Sequence, residues 1–151
     1  MVEDKIKELG YILPETPKPL AAYIPAIKTG DYVYTSGQVP IADGELKYSG
    51  KIGFDLSIKE GQKAAELCSL NALSAIKSVV GDLNKIEQII KVTVFVNSAD
   101  AFTDQPKVAN GASEFLGKIF GEAGKHVRSA VGVNELPIDS AVEIEMIVKV
   151  K

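Results

Sequence analysis

Ser57 is followed three residues later by Glu60, the signature of a capping box at the start of a helix. Beyond it Ala65, Cys68, Ala72, Ile76 and Val79 recur at intervals of three or four until Gly81. That spacing predicts a helix over 58–80 with one apolar stripe, stopped by glycine, and such a stripe is stable only when packed against another layer. Cys68 lies on the stripe and reads as a small core residue. The partner layer begins with the β-branched run Ile89 to Val96, which predicts a strand. A second helix follows from Pro106, in its first turn, to Phe120, with Val108, Phe115, Leu116 and Ile119 as core candidates.

Strands flank this centre. Tyr23–Lys28 and Asp31–Gln38 surround Thr29-Gly30 and predict a strand pair stopped by Gly37 and Pro40. Asp43-Gly44 marks a further turn, and residues 49–53 a loop. Lys5 to Tyr11 predicts a short helical start, and three prolines between Leu13 and Leu20 predict an extended arm. At the other end, alternation puts Val127, Val131 and Val133 on one face of a strand, and Val142, Ile144, Met146 and Val148 on one face of the next. Both faces are expected to be buried. The turn-type residues between Asn134 and Ser140 suggest that the two strands form a hairpin. Arg128, Ala130 and Gly132 would then share the opposite surface with Glu143 and Glu145. Such a surface is either a solvated face with a cross-strand ion pair or a site. The order ββαβαββ predicts an α+β layer: a mixed sheet of four to six strands with two helices on one face.

The 151 residues and 16.1 kDa suit a single domain over 1–151, with an N-terminal extension at about 1–20. A net charge of -3 and a pI near 5.2, with no basic run, argue against a nucleic-acid partner. Neither a signal peptide nor a membrane span is expected, which suggests a cytoplasmic protein. One cysteine and one histidine exclude an intrachain disulfide, a thiolate cluster and a multi-histidine zinc site within one chain. Two helices cover one face of such a sheet, yet the other carries Tyr32, Tyr34 and Phe95. Self-association into a closed oligomer is the expected cover, the alternative being an N-terminal arm folded over that side.

The Tyr23 region, Thr35-Ser36-Gly37-Gln38-Val39-Pro40, Lys91-Val-Thr-Val-Phe-Val, Asn110 ahead of a helical Glu-Phe, Arg128-Ser, Leu136-Pro and Val142-Glu-Ile-Glu occur in an order and spacing that resemble the RidA/YjgF family of reactive-intermediate deaminases. The resemblance spans nearly the whole chain and implies a chorismate-mutase-like fold, a homotrimer with ligand clefts between subunits, and no cofactor or metal. It implies hydrolysis of 2-imino acids of the 2-aminoacrylate or 2-iminobutyrate type to 2-oxo acids and ammonia. By the same resemblance Arg128 and Glu143 are the catalytic candidates, and Tyr23, Ser36, Gly37 and Asn110 line the ligand. Ala130 stands where the family commonly has a cysteine, leaving only its backbone carbonyl. The segments 42–57 and 98–109 are longer than in compact members.

The residue types suit that chemistry. A guanidinium fork holds a planar carboxylate through two parallel hydrogen bonds, which lysine does not reproduce. A protonated imine is already electrophilic, so Glu143 need only orient or partly deprotonate a water. Ser36 and Gly37 either supply polar groups or simply end a strand, and Asn110 serves either the ligand or nearby backbone. Glu145 reads as structural. His126, two residues before Arg128, reads as part of the preceding loop. Two rival functions stay open: a non-catalytic trimer that binds small carboxylates or regulates a partner, and, against the acidic balance, an endoribonuclease or translation inhibitor.

Overall fold

A computed structural model describes residues 1–16 and 22–151. Its elements run α1 (Val2–Glu8), β1 (Ala26–Thr29), β2 (Tyr32–Thr35), β3 (Ile41–Ala42), β4 (Glu45–Leu46), α2 (Ile58–Val80), β5 (Ile86–Asn97), α3 (Gln105–Phe120), β6 (Val127–Val133) and β7 (Val142–Val150). Five strands form one mixed sheet in the order β1-β2-β7-β5-β6, while β3 and β4 form a separate ribbon about Asp43-Gly44. Both residues of that turn have positive φ, 54° and 75°, as a tight hairpin requires.

Helix α2 begins as its sequence predicts. The Ser57 hydroxyl accepts from the Glu60 amide, and the Glu60 carboxylate accepts from the Ser57 amide, closing the capping box. Ala65, Cys68, Ala72 and Ile76 are fully buried over the sheet, but Val79 is 39% exposed, and in the last turn the buried stripe passes through Val80 instead. Helix α3 buries Val108, Phe115, Leu116 and Ile119. The helices cross closely because Gly111 has no side chain: a Cβ there would lie 2.3 Å from the Gln62 carbonyl oxygen. The Gln62 side-chain amide also donates to the Lys107 carbonyl at 2.8 Å, fixing α3 along α2.

The expected C-terminal hairpin does not form. β6 pairs in parallel with β5, Arg128 opposite Val92, and β5 separates it from β7, with which β5 pairs antiparallel. The physical reason is the arrival of β6 from α3, which makes β5-α3-β6 a crossover unit whose strands are necessarily parallel. Paired residues share a face, so the register assigns each side chain. Arg128, Val92 and Met146 form one row on the helix-covered side, and Ala130, Val94 and Ile144 the next. Glu143 lies opposite Phe95, and Phe95 opposite Val131, on the other side. Arg128 therefore does not share a surface with Glu143 and Glu145. The buried face of β6 is also reversed, with Val127 65% and Val131 44% exposed, whereas Val142, Ile144, Met146 and Val148 are buried as expected.

That open face has a continuous row across all five strands: Ile27, Tyr34, Ile147, Lys91 and Val127. Among the described residues, the N-terminal arm does not cover it. In the described residues Ile6 is fully buried, Tyr11 meets Phe115 of α3 edge to face at 5.4 Å, and the Ser74 hydroxyl of α2 donates to the Pro14 carbonyl at 2.6 Å. The arm thus packs on the helix layer, opposite to the alternative expected from sequence, and residues 17–20 of the predicted arm lie outside the described residues. The helical start is Val2–Glu8, as long as the expected 5–11 but three residues earlier.

Candidate functional site

The guanidinium of Arg128 is held by one stripe of α3. Pro106, Asn110 and Ser113 are spaced by four and three residues, so they stack on a single helix face beside β6. Nη1 donates to Asn110 Oδ1 at 2.9 Å and to Ser113 Oγ at 3.1 Å, and Nη2 donates to the Pro106 carbonyl at 3.4 Å. All three acceptors are neutral. Among the described residues no carboxylate pairs with Arg128, so its charge is not spent within the chain. The cation faces an open recess of about 300 Å³ lined by Ser113, Gly117, Gly124, Lys125, His126 and Arg128. Gly117 continues the same stripe, and a Cβ there would meet nothing within 4 Å.

Glu143 belongs to a second locus on the open face. The pairing of β2 with β7 slips by one residue after Tyr34, which lies opposite Ile147, before Gln38 pairs with Ile144. The slip bends the chain at Thr35–Gly37, as a bulge does. There the Thr35 hydroxyl accepts from the Met146 amide at 3.0 Å. Gly37 is brought against Glu143 so closely that a Cβ would lie 2.8 Å from the carboxyl carbon. Burial raises the Glu143 pKa above the ordinary glutamate value, and the charge of Glu145 adds to the rise. Glu145 itself is exposed. The Ser36 hydroxyl donates to the Ile24 carbonyl at 2.6 Å, and the Ser36 amide donates to the Pro25 carbonyl at 2.7 Å, which ties the exposed Tyr23 segment to this locus.

The residues expected from sequence thus fall into two groups. Arg128, Asn110 and, next along β6, the partly buried Ala130 stand at the helix-covered edge of the sheet, whereas Tyr23, Ser36, Gly37 and Glu143 stand together at the bulge. Sequence reasoning missed Ser113 and the Pro106 carbonyl. The signal was present in the four-and-three spacing from Pro106 through Asn110 to Ser113. His126 does precede β6 as a loop residue, yet it turns toward Arg128's side, its Nε2 2.9 Å from the Ser113 hydroxyl. Among the described residues no helix is long and apolar enough to cross a membrane.

Comparison with known proteins agrees with this fold. A family model described as "YjgF/chorismate mutase-like, putative endoribonuclease" matches residues 3–150. Protein TCP17 of Trypanosoma cruzi is 39% identical over 149 residues, 98% of this chain and 93% of its own. A 2-iminobutanoate/2-iminopropanoate deaminase of Dermatophagoides farinae is 31% identical over 140 residues, 91% of this chain and 93% of its own. The crystal structure of Atu1372, a protein of unknown function from Agrobacterium tumefaciens, aligns with a TM-score of 0.94 at 40% identity, over 99% of this chain and 93% of that one. With its α+β sheet and helix layer, the chain belongs to the RidA/YjgF family and has the chorismate-mutase-like fold.

Proposed function

We propose that the protein hydrolyses small 2-imino acids to 2-oxo acids and ammonia, at a site completed between copies of the chain. The observation that carries this reading is the Arg128 guanidinium, fixed by three neutral acceptors and free of any carboxylate partner among the described residues. A fixed, unneutralised fork beside an open recess is suited to a planar carboxylate. The similarity to a 2-iminobutanoate/2-iminopropanoate deaminase supports the choice of acid.

Hydrolysis needs one further group. Water adds to C2 of the protonated imine and loses a proton, and the resulting carbinolamine expels ammonia to leave the 2-oxo acid. Glu143 is suited to take the water's proton and return it to the departing nitrogen, because a carboxyl with a raised pKa works as both base and acid nearer neutrality. Ser36 and the Gly37 amide stand beside it as polar neighbours, and Tyr23 as a cleft wall. Because Arg128 and Glu143 occupy opposite faces of one sheet, Glu143 is supplied to the Arg128 of another copy. The exposed row Ile27, Tyr34 and Val127 gives the second copy an apolar seat, and a closed trimer satisfies every such face equally.

The test couples a threonine dehydratase to this protein and follows capture of 2-iminobutyrate by semicarbazide. Wild type is expected to suppress capture and Arg128→Ala to leave it at the uncatalysed level. Capture unchanged by wild type would refute hydrolysis of this substrate, and binding of 2-oxobutyrate without turnover would make the protein a carboxylate binder instead.

A further inference from the structure

We propose that Ser113 and His126 are positioning residues that set which edge of the Arg128 guanidinium meets the ligand, an inference that rests on the carboxylate-binding role given to Arg128 above. The His126 Nδ1 lies 2.6 Å from the Gly124 carbonyl oxygen. A carbonyl only accepts, so Nδ1 carries the hydrogen and, in the neutral ring, Nε2 is the acceptor. The Ser113 hydroxyl, 2.9 Å from Nε2, must then donate to it, which turns a lone pair of Ser113 Oγ toward Arg128 Nη1 at 3.1 Å. The result is a chain with one direction: Nη1–H to Ser113, Ser113 O–H to His126, and Nδ1–H to Gly124.

The backbone is shaped for this chain. Gly124 ends the 3-10 turn Gly121–Gly124 and packs so closely on α3 that a Cβ would lie 2.6 Å from the Leu116 carbonyl oxygen. That approach brings the Gly124 carbonyl to the Nδ1 edge of the imidazole, while Ser113 projects from the facing helix. With both Nη1 hydrogens committed to Asn110 and Ser113, the carboxylate is received along the Nε and Nη2 edge. Without the chain, Nη1 loses one of its two anchors and the fork loses its fixed plane.

The chain contains one histidine and one arginine, so each gives one unambiguous set of side-chain signals in a nitrogen-15 NMR spectrum. The neutral His126 ring of wild type is expected to carry its hydrogen on Nδ1, and Ser113→Ala to shift both the His126 Nε2 and the Arg128 Nε signals. In the coupled assay Ser113→Ala and His126→Phe should raise KM roughly three- to tenfold with a smaller change in kcat, since positioning is lost while the reacting groups remain. Ser113→Thr and His126→Gln, which keep an oxygen to donate or accept, should recover most of that loss. A neutral His126 protonated on Nε2 would overturn the proposal, as would Ser113→Ala binding 2-oxobutyrate as tightly as wild type while Arg128→Ala does not bind. The expected spectrum with no uptake of 2-oxobutyrate by wild type would support the chain and refute the carboxylate-binding reading, so the two failures are distinct.

Discussion

Asn110 and Arg128 are 18 residues apart in sequence and meet through Oδ1 and Nη1 at 2.9 Å. The contact leaves the cation its full charge, because the acceptor is an amide oxygen. Asn110→Asp would put a carboxylate at that point and neutralise the fork from within. Affinity for 2-oxobutyrate, measured by titration calorimetry, is expected to fall by about tenfold or more, or ~1.4 kcal/mol. The cation would then be held more firmly, so thermal stability should not fall with it.

Gly111 sets the position of the whole α3 stripe. A Cβ added there would lie 2.3 to 2.8 Å from three backbone atoms of Gln62, and backbone cannot yield as a flexible side chain can. Gly111→Ala should cost about 1–3 kcal/mol, despite alanine's better helix propensity. A lowered melting temperature together with weakened acid binding is expected, because α3 carries Asn110 and Ser113.

Gly117 gives the opposite result on the same helix. Its missing side chain borders only open space, so Gly117→Ala should raise stability by about 0.5–1 kcal/mol, seen as a higher denaturant midpoint. Gly117→Leu would project into the recess beside Arg128 and is expected to weaken binding of 2-oxobutyrate without unfolding the chain.

Glu143 makes stability depend on pH with a defined sign. Its folded-state pKa lies above the unfolded value, chiefly through burial and secondarily through Glu145. The folded chain thus holds this proton more tightly. The resulting stabilisation is complete below the ordinary glutamate range and is lost as pH rises through the folded-state pKa. Glu143→Gln has no such proton to lose. Melting temperatures of the two proteins should converge only below about pH 4, beneath the unperturbed glutamate value, and the variant should melt higher at neutral pH.

Much of the fold was legible because local signals agreed with it. The capping box, the glycine stop and the three- and four-residue spacing placed α2 between Ser57 and Gly81, and the β-branched run placed most of β5. Strand pairing was not legible in the same way. Alternation identifies the two faces of β6, but both carry small or apolar residues, and only the crossover through α3 decides which is covered. β5 illustrates the limit: its ladder to β7 slips twice before Val92, each slip exchanging faces. The candidate residues were therefore found individually, whereas their division into two loci depended on the parallel β5–β6 register and the β2 bulge at Thr35–Gly37, neither of which has a sequence marker of its own.

On the proposed function, Arg128 of one copy and Glu143 of another act on the same substrate molecule. Arg128→Ala and Glu143→Gln chains, each inactive alone, are mixed as unfolded protein and refolded together, and 2-iminobutyrate hydrolysis is measured. Random assembly into a closed ring leaves roughly a quarter of the sites with both residues intact, so about a quarter of the wild-type activity should return. Mixed assemblies that form but remain as inactive as either parent would contradict the claim.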